Sequence, residues 1–385
     1  MSPELGCVDL FCGAGGFSLG FQMAGIDVLA GADIHETASE TYEQNLDTTC
    51  VVEDIRDLGP EEFYNRADID PENVDILVGG PPCKGFSTAG PYEVDDPRNS
   101  LFRQYLEFVE NIRPSAIIME NVTGLLGMQD GEYRDRILGH TQELGYNTEY
   151  LILNAADYGV PQLRERVFFI GYQDNQPVEP PEQTHSGTGQ QRITGFSEES
   201  LEPHVTTKDA VSDLEFLGIG EESETYETAP KTEYQEEMRG DQNVLHNHLS
   251  TNHSQRIQDR FGKFEQGDSI SDVEQRGTIT VDTQKHTIMR WDPDKPAFTV
   301  TTLPEDFIHY KHNRIPTVRE MARIQSFPDW FKFEGPRTTG GPQRAKSLPQ
   351  YSQVGNAVPP VLAKHLAMEL ENKVLEKSKN PTASS

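Results

Sequence analysis

The sequence predicts an α/β fold, an open parallel sheet of dinucleotide-binding type joined to a second, smaller and irregular domain. Three observations carry this. Short apolar, partly β-branched runs recur through the first 180 or so residues, separated by glycine turns and amphipathic stretches. The first run passes straight into a glycine loop that opens a helix. From about Tyr172 to Gly240, Pro, Glu, Thr, Ser and Gly dominate and acids outnumber bases several-fold. Regular patterning returns near Pro296. The expected organisation is therefore 1–180, 181–305 and 306–385, the last segment returning to complete the first.

In chain order, residues 6 to 11 read as the first strand. It runs into Cys12-Gly13-Ala14-Gly15-Gly16, followed by the helical spacing of Phe17, Phe21 and Ala24. The strict G-x-G-x-x-G fingerprint is broken, because Ser18 stands where its last glycine belongs, so a pyrophosphate ligand is disfavoured. A second strand, 27 to 33, ends in Asp33, twenty residues after Gly13, the spacing at which an acid holds ribose hydroxyls. A third, 50 to 52, ends near Asp54. Either acid alone is equally well a helix cap. Together with the glycine loop they suggest an adenosine-containing ligand without a pyrophosphate.

The fourth strand, 74 to 78, is stopped by Gly79-Gly80-Pro81-Pro82, which holds Cys83 on a stiff turn just past the strand end. In an open parallel sheet that edge binds ligands. A lone thiol is more often a small buried hydrophobe, so its neighbours decide the reading. An amphipathic helix follows from Leu101. The fifth strand, 115 to 119, then delivers Glu120-Asn121-Val122 to the same edge as Cys83 if the two strands are parallel, a nucleophile beside a general acid. A surface cap is the plainer reading of Glu120. Further strands at 150 to 153 and 167 to 171 bracket Gln162-Leu163-Arg164-Glu165-Arg166, whose two arginines would point to one strand face, toward a phosphate or base carbonyl. In the last segment, Thr317 with Glu320 forms a capping box for a helix ended by Phe327-Pro328. Gln353-Val354-Gly355-Asn356 opens the final helix.

The formal net charge of −30 argues against a nucleic-acid partner on its face. Scattered Asp and Glu with scarce Lys point instead to adaptation to high salt, where screening shrinks to about 3 Å and distant repulsion fades. The four cysteines, Cys7, Cys12, Cys50 and Cys83, lack metal or disulfide spacing, and the histidines of 247–253 are poorly spaced for a metal. No apolar run reaches membrane length and the first strand starts almost at the N-terminus. A cytoplasmic, reduced protein with no membrane partner is expected.

Six stretches occur in an order that resembles the DNA (cytosine-5) methyltransferases. They are 9–16, Pro81-Pro82-Cys83, Glu120-Asn121-Val122, 162–166, Arg319-Glu320 with its flanks, and 353–356. The resemblance covers about 1–172 and 285–372. It implies a Rossmann-like S-adenosylmethionine-dependent methyltransferase sheet, with 181–305 as the target-recognition domain. The cofactor contacts it implies are Phe11, Gly13, Gly15, Gly16, Asp33, Ile34, Asp54, Ile55, Pro82, Leu101, Asn356 and Val358. Asp33 stands where the family more often has Glu, one methylene longer. The resemblance makes Cys83 the nucleophile toward carbon 6 of a flipped-out cytosine and Glu120 the group at ring nitrogen 3. Arg166, helped by Arg164, would hold the base oxygen or a phosphate. It implies action on a specific duplex DNA sequence, while the acidic charge points to a halophilic, archaeal source; a monomer is the default for a base-flipping enzyme of this size, and a companion restriction endonuclease is left open. A tRNA methyltransferase, a non-catalytic S-adenosylmethionine-binding subunit and a nicotinamide dehydrogenase are the rival readings. The long middle region disfavours the first, the intact Cys83, Glu120 and Arg166 the second, and the broken fingerprint the third.

Overall fold

The computed structural model describes residues 5–82, 100–173, 176–187, 191–194, 197–241, 244–277, 287–338 and 347–379. They fall into two compact units. The first takes the described residues up to 154, then 165–182 and those from 362 onward; the second takes 155–164 and 183–361.

The first unit is built on a seven-stranded sheet. Its strands are β1 (Gly6–Leu10), β2 (Asp27–Asp33), β3 (Cys50–Val52), β4 (Ile76–Gly79), β5 (Ala116–Val122), β6 (Tyr146–Asn154) and, after the two-residue β7 (Gln162–Leu163) of the second unit, β8 (Glu165–Gln173). The order across the sheet is β3-β2-β1-β4-β5-β8-β6. Strands β1 to β5 pair in parallel, whereas β8 runs antiparallel to both β5 and β6. The connecting helices are α1 (Gly16–Met23), α2 (Glu36–Leu46), α3 (Pro60–Ala67), α4 (Ser100–Ile112) and α5 (Glu132–Glu143). Strand order reverses between β1 and β4, and the crevice beyond their carboxyl ends is where such a sheet binds ligands. Strand β1 stops at Leu10, one residue short of expectation, because Phe11 takes φ 60° and cannot continue a strand.

Helix α4 shows how the sheet is held. Phe102, Tyr105, Phe108 and Val109 fall on one helical face and are all buried against the sheet core. Phe108 meets Phe63 of α3 edge to face, with ring centres 5.5 Å apart. Removing the Phe108 ring would cost about 3–5 kcal/mol. The Tyr105 hydroxyl lies 3.1 Å from the Leu77 carbonyl and 3.0 Å from that of Ile118, tying β4 to β5 near their functional ends.

The second unit is made of short elements, as its composition implied. Helices α6 (Thr207–Val211), α7 (Glu233–Arg239), α8 (Gln255–Phe261), α9 (Ile270–Gln275), α10 (Val318–Ile324) and α11 (Gln350–Asn356) are interspersed with pairs of strands of two or four residues. Helix α12 (Pro360–Lys379) starts here and continues into the first unit. Buried charge stitches the unit together. Arg323 reaches Asp329 at 2.5 Å and Asp213 at 3.0 Å, and Arg314 donates twice to Glu320 at 2.7 Å, every one of these side chains being fully buried. Thr317 and Glu320 form the expected capping box at the start of α10. The helix ends at Ile324 rather than at Phe327, with Ser326 at φ 62° turning the chain. The sequence placed 306–361 with the sheet. Through Arg323 and Asp213 this segment packs instead inside the second unit, and the return to the first begins at Leu362.

Candidate active site

Five consecutive parallel strands deliver the candidate residues to one edge of the first unit. Past β1, the loop carries Gly13 and Gly15 at φ 53° and 90°, conformations that a side chain would resist. The Gly13 N–H donates to Asp33 Oδ2 at 3.0 Å, binding the loop to the end of β2. The other Asp33 oxygen accepts from the His35 N–H at 2.8 Å and lies 2.9 Å from His35 Nδ1, and this contact raises the imidazole above its ordinary pKa. Ile34 between them is exposed. At the end of β3, Asp54 accepts from the Arg56 backbone at 3.0 Å and pairs with its guanidinium, which lowers the carboxyl's pKa. Ile55, Leu101 and Phe11 pack with the sheet core.

In β1, ahead of the glycine loop, lies a carboxylate whose burial the sequence did not reveal. Asp9 sits in β1, fully buried, and accepts from the Ser18 hydroxyl at 2.7 Å, with Tyr42 3.0 Å beyond. Burial pushes its pKa up to about 7, opposed by the Ser18 bond and aided by nearby Asp33. An acid inside an apolar strand, nine residues before a serine in the next helix, was the available signal.

Glu120 and Arg166 meet at the end of β5, beside the turn that follows β4. Cys83 lies outside the described residues, and the approach to it is defined up to Pro82. Pro81 is buried, and the Asn121 side chain donates to its carbonyl at 3.0 Å, fixing the turn that leads toward Cys83. Glu120 Oε2 stands 3.5 Å from where a Cβ on Gly80 would be, so this carboxylate overlooks the same turn. Its other oxygen meets Arg166 Nε at 3.1 Å, both side chains being about 15% exposed. Arg166 arrives there because β8 is antiparallel: its first turn of ladder pairs Val122 with Arg166, so the start of β8 lies beside the end of β5.

Arg164 does not share that face. The strand is interrupted between β7 and β8, and Arg164 is buried in the second unit, where its guanidinium donates to the carbonyls of Val300, Gly355 and Ala357 at 3.1–3.2 Å. The expectation of two arginines projecting together is corrected: Arg166 faces Glu120, while Arg164 is consumed by backbone. Asn356 and Val358 also belong to the second unit, Asn356 exposed and Val358 buried. Among the described residues no group of His, Cys, Asp and Glu is assembled to hold a metal ion, and no helix is long and apolar enough to cross a membrane.

The family model for C-5 cytosine-specific DNA methylase matches residues 5–372. The type II methyltransferase M.DdeI of Desulfomicrobium norvegicum is 40% identical over 94% of this chain and 87% of its own length. M1.HphI of Haemophilus parahaemolyticus is 35% identical over 94% and 85%. Among solved structures, a prophage-encoded E. coli protein assigned as a DNA modification methyltransferase superposes with a TM-score of 0.74. It is 28% identical, over 97% of this chain and 100% of that one.

Proposed function

The chain belongs to the C-5 cytosine-specific DNA methylase family, and from that membership we propose how its residues carry out the reaction. It is a DNA (cytosine-5-)-methyltransferase that uses S-adenosylmethionine. The edge of the first unit suits that cofactor: a glycine loop with two positive φ values leaves room against backbone, and carboxylates close successive strands to accept hydroxyls and amines. When bound, S-adenosylmethionine supplies the electrophilic methyl group. Phe11, Gly13, Gly15, Gly16, Asp33, Ile34, Asp54, Ile55, Pro82, Leu101, Asn356 and Val358 would hold it.

In the proposed mechanism the target cytosine leaves the stack, since carbon 6 is unreachable within a duplex, at a cost of a few kcal/mol. The Cys83 thiolate adds to carbon 6. Glu120 gives a proton or hydrogen bond to ring nitrogen 3, so that charge pushed into the ring comes to rest at carbon 5. Arg166 keeps the Glu120 carboxyl aimed and offers its remaining N–H groups to the base oxygen or the adjacent phosphate. After methylation, a base such as water takes the carbon 5 proton, the carbon 6–sulfur bond breaks to release the Cys83 thiolate, and ring nitrogen 3 returns its proton to Glu120, restoring the ring. The single observation that supports this arrangement is the Glu120–Arg166 contact at 3.1 Å over the turn that leads toward Cys83.

The test is transfer of label from methyl-tritiated S-adenosylmethionine to duplex DNA and, separately, to tRNA. Label is expected in DNA as 5-methylcytosine and absent with Cys83→Ala, which still binds cofactor. Turnover by that variant would remove Cys83 from the role of nucleophile, and label in tRNA alone would move the chain to the RNA-modifying branch.

Segment 181–305 is proposed to read the DNA sequence, the enzyme acting as a cytoplasmic monomer beside a companion restriction endonuclease. The net charge of −30 supports a halophilic, archaeal source. Full stability in dilute buffer would refute the halophilic reading.

A further inference from the structure

Arg164 was expected at the base, yet its surroundings give it different work. Helix α11 ends at Asn356, and the last carbonyls of any helix lack intrahelical partners. Here they are collected by side chains from far along the chain. Arg164 Nη2 takes the Gly355 carbonyl at 3.2 Å and that of Ala357 at 3.1 Å, on either side of Asn356, while Nη1 takes Val300 at 3.1 Å. Gln325 Nε2 takes the Val354 carbonyl at 2.7 Å, with Ala357 3.3 Å away. Gln162 joins the two, donating to Gln325 Oε1 at 2.7 Å and accepting from the Val300 N–H at 2.7 Å. The turn also sits hard against the Thr301 backbone, since a Cβ on Gly355 would lie 2.3 Å from the Thr301 carbonyl oxygen.

Of residues 354–357, Val354 and Gly355 are buried, and Asn356 is the exposed member. Its neighbours' carbonyls are both held by Arg164 Nη2, itself anchored through Nη1 on Val300, so the freedom left to Asn356 is that of its own side chain. A cation at the helix C-terminus is also the favourable sign for the helix dipole. Nothing in this arrangement spends Arg164 on a phosphate or a base.

We infer that Arg164 is a positioning residue for S-adenosylmethionine binding, setting the turn that presents Asn356 and Val358, and not a contact to DNA. The inference rests on the proposed assignment of those two residues to the cofactor. Lysine keeps the charge but offers one compact nitrogen where arginine offers two, so it cannot hold Val300 and the Gly355–Ala357 pair together. Arg164→Lys is therefore expected to raise the Kd for S-adenosylmethionine about tenfold, as loss of buried charge-assisted bonds does. At saturating cofactor kcat should stay within about threefold, and DNA affinity and its salt dependence should be unchanged.

The experiment is calorimetric titration of S-adenosylmethionine into the full chain, beside DNA binding by fluorescence anisotropy over a range of salt. The variants are Arg164→Lys, Asn356→Ala and their combination, with Gln325→Met as a second route to the same turn should Arg164→Lys not fold. Weaker cofactor binding in each, with the double variant little worse than Asn356→Ala alone, is the expected result. If Arg164→Lys instead weakens DNA binding and lowers the salt slope by about one phosphate while cofactor affinity holds, Arg164 is a DNA contact. Intact cofactor affinity in Asn356→Ala would remove the assignment beneath the inference, and the inference with it. Weak binding in Asn356→Ala but wild-type binding in both Arg164→Lys and Gln325→Met would defeat the inference alone.

Discussion

The Glu120–Arg166 pair offers the sharpest test of the site, because structure and chemistry make separate demands on it. Arg166→Met keeps the length of the stem and deletes the guanidinium that stands 3.1 Å from Glu120. Pairs at full exposure are worth about 0–1 kcal/mol and breaking fully buried ones costs about 3–5 kcal/mol. With both side chains about 15% exposed, this pair lies between, and about 2 kcal/mol is a fair expectation. For a unit of this size that is a fall of about 4–8 °C in Tm. Glu120→Gln should cost less stability, since an amide oxygen can still accept from Arg166, but it removes the acid, for which a loss of about 10²–10⁴ in kcat is usual. The double variant should be no less stable than Arg166→Met alone. Scanning calorimetry and single-turnover tritium transfer read the two effects. A Tm for Arg166→Met within 1–2 °C of the parent, or a Glu120→Gln enzyme with undiminished single-turnover rate, would refute the reasoning.

Three further outcomes are expected. Asp33→Ala frees the Gly13 and His35 N–H groups together and should weaken S-adenosylmethionine about 10- to 100-fold in equilibrium binding, the range usual for losing a charge-assisted acceptor and its supports. The same change removes a small pH effect: Asp33 raises the His35 pKa, so that contact stabilises the fold below about pH 6.5 and is lost as pH rises through the raised value, a slope that melting curves of Asp33→Ala should lack. Glu320 behaves oppositely. Arg314 and its neighbours hold its pKa far below that of an ordinary carboxylate, so its stabilisation is full above about pH 4.5 and fades as pH falls toward the depressed value. Glu320→Gln should cost about 3–5 kcal/mol at neutral pH in denaturant unfolding and flatten the acid limb. Gly355→Ala must drive a Cβ against the Thr301 backbone, and a loss of cofactor affinity with little change in DNA binding is the result to look for by titration.

What could be read from the residues divides along physical lines. The runs of β1 to β5 and the acids at their ends were legible because alternation, glycine turns and strand length are local signals. The capping box of Thr317 and Glu320 was legible for the same reason. The direction of β8 was not, since an apolar run such as Val167-Phe168-Phe169-Ile170 reads alike both ways, and only pairing with β5 makes it antiparallel. The two-residue spacing of Arg164 and Arg166 misled because it assumes an unbroken strand. The grouping of 306–361 with the second unit was not legible, because it is decided by contacts such as Arg323 with Asp213, more than a hundred positions apart. Asp9 was visible as a letter, but its burial was not.

The three-piece construction of the first unit has a consequence for the order in which the enzyme comes into being. The sheet strands emerge early from the ribosome, yet Leu366, Leu370 and Val374 of α12, buried in the finished protein, emerge only after the whole second unit has been translated. So does Lys373, whose ammonium meets Glu179 at 2.6 Å. Until then the nascent sheet lacks the helix that completes it. Closure of the first unit therefore waits for translation of the second. A gene rearranged to encode α12 ahead of β1 would let that unit close while the remainder is still being made.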